Sequence, residues 1–112
     1  MSEKGVGLES LGRNAGVAVL ILSSLAGGEK HGYALVKDVE EFADVHLPPG
    51  TLYEALARLE ARKLIEPLKS EDRRRPYRLT GLGAATLSEY LEAQRRVANV
   101  GRERLRRGWS VA

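Results

Sequence analysis

Pro48, Pro49 and Gly50 interrupt the middle of this chain and force a new element to begin there. Proline suits the first position of a helix, because its missing N–H would lack a partner there and its fixed φ is already helical. Thr51 with Glu54 three residues later reads as a capping box, so the spacing allows the helix to open at either position. In the helix predicted over residues 49–62, Leu52, Leu56 and Leu59 fall within about 60° of one another and define the buried face. Gly50, Tyr53, Glu54, Ala57, Arg58 and Ala61 then point outward. Small side chains around one phenol, one acid and one guanidinium make a face that can come close to a groove, where Tyr53 and Arg58 can donate to bases or phosphates.

Two short apolar segments follow, residues 64–68 and 76–79. They are too short for helices, and Pro67 and Pro76 are tolerated if both strands are edges of a two-stranded ribbon. The connecting stretch counts five basic and two acidic side chains from Lys69 to Arg78, a local +3 with little room to bury anything. An amphipathic helix followed by a basic hairpin is the layout of a winged helix-turn-helix, which offers a helix to the DNA major groove and arginines to the neighbouring backbone. Within that layout Arg73, Arg74, Arg75 and Arg78 are candidate DNA contacts, together with Lys63 at the helix end and Pro49, Gly50, Thr51, Tyr53, Glu54 and Arg58 on the helix. A plainer reading of Arg58 is an i,i+4 pair with Glu54, about 0.2–0.5 kcal/mol and easily outcompeted.

Upstream, Ala18, Ile21, Leu22 and Leu25 recur at helical spacing, and Val17, Val19 and Leu20 leave little of that helix polar, so it must be covered on several sides. The predicted helix starts near Asn14 and ends at Gly27-Gly28, with Glu29-Lys30 as a polar link. A second helix from His31 or Gly32 to Phe42 turns Leu35, Val36, Val39 and Phe42 inward and Lys37, Asp38, Glu40 and Glu41 to water. Residues 1–12, with glycines at 5, 7 and 12, read as a mobile arm or a weak helix. The last helix, from Thr80 or Leu82 to about Arg107, carries Leu87, Leu91, Gln94, Ala98, Gly101 and Leu105 at alternating steps of four and three, flanked by Tyr90 and Val97. It is too long to lie wholly on a three-helix core, which makes a second subunit the economical cover for that stripe.

The fold class read from this pattern is mainly α with a small β-hairpin: a winged-helix domain with its arm over residues 1–80 and a dimerisation helix over 81–112. At 112 residues the chain holds about one modest core. The absence of cysteine removes disulfides, thiolate catalysis and cysteine-based metal sites, and fits a cytoplasmic protein. No apolar run reaches the roughly 20 residues of a membrane span. No nucleophile is paired with a base and no phosphate-cradling glycine motif occurs, so an enzyme is not expected and no cofactor is implied. His31 and His46 lack cysteines or an acidic cluster nearby in sequence, so no metal site is assigned.

Taken together, Ile21-Leu22, His31-Gly32-Tyr33, Pro49-Gly50-Thr51-Leu52-Tyr53, Leu56, Arg58-Leu59-Glu60, Leu64-Ile65 and Tyr77-Arg78-Leu79-Thr80 with Gly83 give a specific signal. The chain resembles the PadR-like family of bacterial transcriptional regulators, specifically its short members with a single C-terminal helix. The resemblance implies a homodimeric winged-helix repressor acting on a pseudo-palindromic double-stranded DNA operator. Its C-terminal helices would pair and leave an apolar cavity near the dimer axis for a small effector. It also gives Tyr33 an interface role, with packing the alternative, and leaves Trp109 as a candidate effector contact against the plainer reading of a frayed end. Two departures stand out. Lys63 replaces the usual glycine before the wing, implying a different helix end, and Gly81 replaces an acid after Thr80, implying a looser helix start. A winged-helix module that engages a protein instead of DNA is the competing reading, favoured by Glu54, which repels phosphate unless it accepts from a cytosine.

Overall fold

A computed structural model describes residues 15–70 and 74–109. The elements run α1 (Ala15–Ala26), α2 (Gly32–Ala43), α3 (Pro49–Ala61), β1 (Ile65–Pro67), β2 (Tyr77–Leu79) and α4 (Gly81–Gly108). The architecture is therefore mainly helical with one antiparallel hairpin, paired Ile65 to Leu79, Glu66 to Arg78 and Pro67 to Tyr77. The expected arm over residues 1–12 and Arg73 lie outside the described residues.

The greasy α1 is the central post, touching α2, α3, α4 and β2. Ala18, Ile21, Leu22 and Leu25 are buried on it, against Leu35 and Val39 of α2, Leu52, Ala55, Leu56 and Leu59 of α3, and Leu64, Ile65, Tyr77 and Leu87 beyond. Each fully buried Leu or Ile contributes roughly 1.5–3 kcal/mol by leaving water, and this one cluster accounts for the arrangement of all six elements. Phe42 departs from expectation: it is 50% exposed, and the buried stripe of α2 ends at Val39. Asp38 departs too. Instead of facing water freely it accepts a 2.6 Å hydrogen bond from the buried Ser24 Oγ, and Lys30 Nζ lies 3.9 Å from the same carboxylate.

The start of α3 follows proline: Pro48 caps, Pro49 occupies the first turn, and Pro48 makes no side-chain cap bond. Thr51 therefore sits inside the helix and the capping box does not form, while Glu54 pairs with Arg58 instead. At the other end, Lys63 adopts φ 64, the Lys63 N–H reaches the Glu60 carbonyl at 2.9 Å, and the Leu64 N–H reaches the Leu59 carbonyl at 3.0 Å. These two bonds form a Schellman end, the one a glycine would make, so Lys63 does not create a different terminus; it holds the ordinary one in a left-handed conformation. The expected looseness at Gly81 is also absent. Thr80 Oγ1 accepts from the Gly83 N–H at 2.9 Å and donates to the Lys63 carbonyl at 2.7 Å, while the Thr80 N–H binds the Leu64 carbonyl at 3.1 Å.

Candidate nucleic-acid interface

The prospective reading helix carries the expected outward residues. Pro49, Gly50, Thr51, Tyr53, Glu54, Ala57, Arg58 and Ala61 are all exposed, opposite the buried Leu52, Ala55, Leu56 and Leu59. The Glu54–Arg58 pair closes at 3.2 Å with both side chains solvated, so it contributes little to stability and leaves that stretch of the face neutral overall.

Glycine decides how α3 meets α2. A Cβ on Gly32 would stand 2.8 Å from the Tyr53 hydroxyl and 3.4 Å from Leu52 Cδ2, so the missing side chain is what lets Tyr53 lie against the α2 N-terminus. His31 caps that terminus through Nδ1, which accepts from the Ala34 N–H at 3.4 Å.

The hairpin is joined to the same place. The Lys30 N–H donates to the Tyr77 carbonyl at 3.2 Å, and the Tyr77 N–H donates back to the Lys30 carbonyl at 2.9 Å. β2 is thus flanked on both sides at Tyr77, and the expectation of two edge strands fails there. The Lys30 side chain turns the other way and donates to the Ser24 carbonyl at 2.6 Å, tying the bridge to the end of α1.

These three attachments enclose a cleft of about 380 Å³ between α2, α3 and the hairpin. The structure brings Tyr33, Tyr53, Arg74 and Arg75 to its walls, four residues the sequence singles out, and adds His31, Gly32 and Tyr77. Tyr77 was missed as a site residue because a tyrosine in a short strand signals core packing, and it is indeed buried. The Tyr33 ring also carries Lys37 Nζ 5.6 Å from its centroid, a cation–π contact at an exposed position. Burial raises the Tyr77 hydroxyl above its ordinary pKa; Arg75 opposes this, and Glu60 and Tyr53 add to it. The phenol is a neutral donor at any physiological pH.

Other candidates scatter around this cleft. Arg78 and Lys63 are exposed outside its walls. Arg78 Nε donates to Glu66 Oε2 at 3.0 Å across the hairpin, so a count that includes Glu66 lowers the ribbon from +3 to +2. No cluster of three or more His, Cys, Asp or Glu side chains occurs among the described residues. No described helix is long and apolar enough to cross a membrane.

On α4, Leu87 is corrected: it is buried against the chain's own core, 6% exposed, and is not available to a partner. Tyr90 packs partly on that core. The same helical face then runs past the body, where Leu91, Gln94, Val97, Gly101 and Leu105 are exposed and Ala98 is half-buried. Trp109 caps the helix end and is exposed.

A three-helix core, a short hairpin, an outward α3 and a donor-lined cleft between them define a winged-helix protein. The pattern of the transcriptional regulator PadR-like family matches residues 21–89, and the chain belongs to that family. It is 31% identical to a PadR family transcription regulator from hypervirulent Clostridium difficile, with a TM-score of 0.72 over 80% of this chain and 97% of that one. A transcriptional regulator from Clostridium thermocellum is also 31% identical, with a TM-score of 0.70 over 78% and 90%. A winged-helix DNA-binding protein from STIV shares the fold at 21% identity and a TM-score of 0.65, covering 70% of this chain and 87% of that one. Among curated proteins, an uncharacterized 37.1 kDa protein in a Streptomyces fradiae transposon is 41% identical over 80 residues, which are 71% of this chain and 23% of that relative. The family is one of transcription regulators and not of enzymes.

Proposed function

We propose that the protein is a sequence-specific, homodimeric DNA-binding repressor of the bacterial cytoplasm whose α4 pairing responds to a small apolar effector. The observation that carries this reading is the juxtaposition of the exposed α3 face with the arginine-bearing hairpin across a cleft walled by hydroxyls, amides and guanidiniums. In the proposed complex, α3 enters the major groove with Arg58 and the small residues toward base edges, and Tyr53 turns its hydroxyl to a phosphate. Lys63, Tyr33, Arg73, Arg74, Arg75 and Arg78 serve the phosphates. Two copies joined through Leu91, Gln94, Val97, Ala98, Gly101 and Leu105 present two such helices, and their operator is a pseudo-palindrome with half-sites about 10–10.5 bp apart. Occupancy of a promoter suffices to block transcription, so repression asks for no further surface.

Support for pairing comes from the exposure of Leu91, Val97 and Leu105, 45%, 66% and 58%, on one helix that outruns its own core. Residues 1–80 with the first turns of α4 form the reading unit in this proposal, and the remainder of α4 the coupling unit. An effector seated at the seam, near the small residues Ala98 and Gly101 and with Trp109 at its end, releases DNA only if it prefers a helix pairing that DNA does not.

Selection from a random duplex library tests this directly. The expected result is enrichment of a pseudo-palindrome, and its binding should resist scrambled competitor at near-physiological salt. Weak binding that ignores sequence and vanishes with salt overturns it. The Glu54–Arg58 pair favours a second reading, a winged-helix surface for a protein partner, because an ion-paired arginine and a fixed acid suit a mixed-charge protein face. Failure of the selection moves the assignment there.

A further inference from the structure

The cleft at the α2 N-terminus offers donors in excess of acceptors. The Ala34 N–H is capped by His31 Nδ1 and the Leu35 N–H by the His31 carbonyl, whereas the Gly32 and Tyr33 N–H groups find no acceptor among the described residues. They open at the positive end of a 12-residue helix.

A second, independent observation points the same way. Tyr77 is 8% exposed, yet its hydroxyl makes no hydrogen bond among the described residues. No fully buried side-chain oxygen or nitrogen lacks a partner among those residues, so this hydroxyl is one that emerges into the cleft it lines. Burying a tyrosine whose polar end is left without a protein partner costs stability unless something else binds it. The Tyr53 hydroxyl lies over Gly32, Arg75 brings positive charge, and no acid lines the cleft among the described residues.

We propose that this cleft is a phosphate-receiving site in which Tyr77 is the deepest donor, joined by Tyr53, Arg75 and the Gly32 and Tyr33 amides. A phosphate oxyanion accepts several hydrogen bonds at once, which matches a wall of donors with few acceptors. Two sources share that chemistry: a phosphodiester of the DNA backbone and a free phosphate ester. The first rests on the DNA-binding function proposed above, whereas the anion site itself does not.

The test uses the full chain, titrated with inorganic phosphate against chloride at matched ionic strength and followed through the Gly32 and Tyr33 amide NMR signals. Saturable shifts are expected, with affinity about tenfold or more weaker in Tyr77→Phe, since one charge-assisted hydrogen bond is lost. Because the hydroxyl makes no hydrogen bond among the described residues, Tyr77→Phe should melt at or slightly above the temperature of the parent chain. Arg75→Gln, on the surface, should weaken the shifts without touching the core, and Lys69→Gln, outside the cleft, should leave them unchanged. Absence of saturable shifts, or equal affinity in Tyr77→Phe and Arg75→Gln, overturns the site.

A DNA arm identifies the source. If Tyr77→Phe weakens selected and scrambled duplexes by the same factor, the bound group is a backbone phosphate; if DNA affinity is unchanged while phosphate binding falls, it is a free ester. A chain that binds phosphate this way but no DNA refutes the DNA-binding function alone. A chain that binds DNA with no phosphate response refutes the cleft alone.

Discussion

Gly83→Ala is the substitution most sharply constrained by this structure. A Cβ there would stand 2.0 Å from the Leu64 carbonyl oxygen and 2.9 Å from both the Leu64 carbonyl carbon and Leu79 Cδ1. The obstacle is backbone, pinned by the Leu64 N–H bond to Leu59 and by the Thr80 N–H bond to that same Leu64 carbonyl. Reaching even a tight 3.0 Å contact requires the start of α4 to retreat by about 1 Å. That movement strains the Thr80–Leu64 bond, worth about 1 kcal/mol, and the Thr80 cap, worth about 1 kcal/mol more. Overpacking adds roughly 1–3 kcal/mol. Helix propensity returns about 1 kcal/mol, since alanine replaces glycine. The net expectation is a loss of roughly 2–4 kcal/mol, or a fall in Tm on the order of 10–25 °C for a domain of this size. Thermal melts by circular dichroism at fixed protein concentration measure it. Gly81→Ala, two residues earlier and with nothing within 4 Å of its Cβ, is the control and should be neutral or slightly stabilising. A Gly83→Ala chain melting at or above the parent temperature would refute the argument that close backbone approach fixes α4.

Lys63→Gly should stabilise the chain by about 0.5–1 kcal/mol in urea unfolding, because the left-handed φ of 64 penalises any side chain while the Schellman bonds survive. If Lys63 also meets phosphate, DNA affinity falls as stability rises, a combination that a purely structural lysine does not produce. Ser24→Ala removes the 2.6 Å bond to Asp38 from a site 2% exposed and should cost about 1–2 kcal/mol by the same assay. Leu91→Asp should leave the fold intact, since Leu91 is exposed, and convert a dimer to monomers in sedimentation equilibrium; a persistent dimer would place the seam elsewhere.

The element order was legible because each helix here repeats its apolar residues at three-to-four spacing and every break but the one at Lys63 carries proline or glycine. Pro49 is the clearest case: steric logic alone puts it in the first turn of α3, and the structure agrees. Tertiary neighbours decided what the pattern could not. Leu87 and Leu91 share a face of α4, but the core takes in only the first of them, and no periodicity reports where a core ends. Phe42 fails for the same reason at the end of α2. The Lys30–Tyr77 bridge involves a single residue on each side, too short for alternation to reveal, and without it the cleft and the place of Tyr77 in it were invisible. Tyr33, Tyr53, Arg74 and Arg75 could be singled out separately as surface donors, yet nothing in their spacing showed that they share one concavity.

That concavity and the far end of α4 are mechanically connected through very few atoms. Thr80 and Gly83 fasten the start of α4 to the Lys63 and Leu64 carbonyls, which lie in the link from α3 to β1. β1 pairs with β2, and β2 pairs through Tyr77 with Lys30, whose side chain holds the end of α1. A tilt of α4 about its buried Leu87 therefore cannot leave α3 behind, because the Schellman end of α3 and the cap of α4 use the same two residues. In a dimer joined along the outer part of α4, a change in helix pairing would reach the two α3 helices as rigid-body movement and alter their separation. Distance measurements between spin labels at Ala57 of the two copies, with and without an effector, would show it as a shift of the whole distribution. Broadening without a shift would mean that the junction at Gly83 yields instead of transmitting.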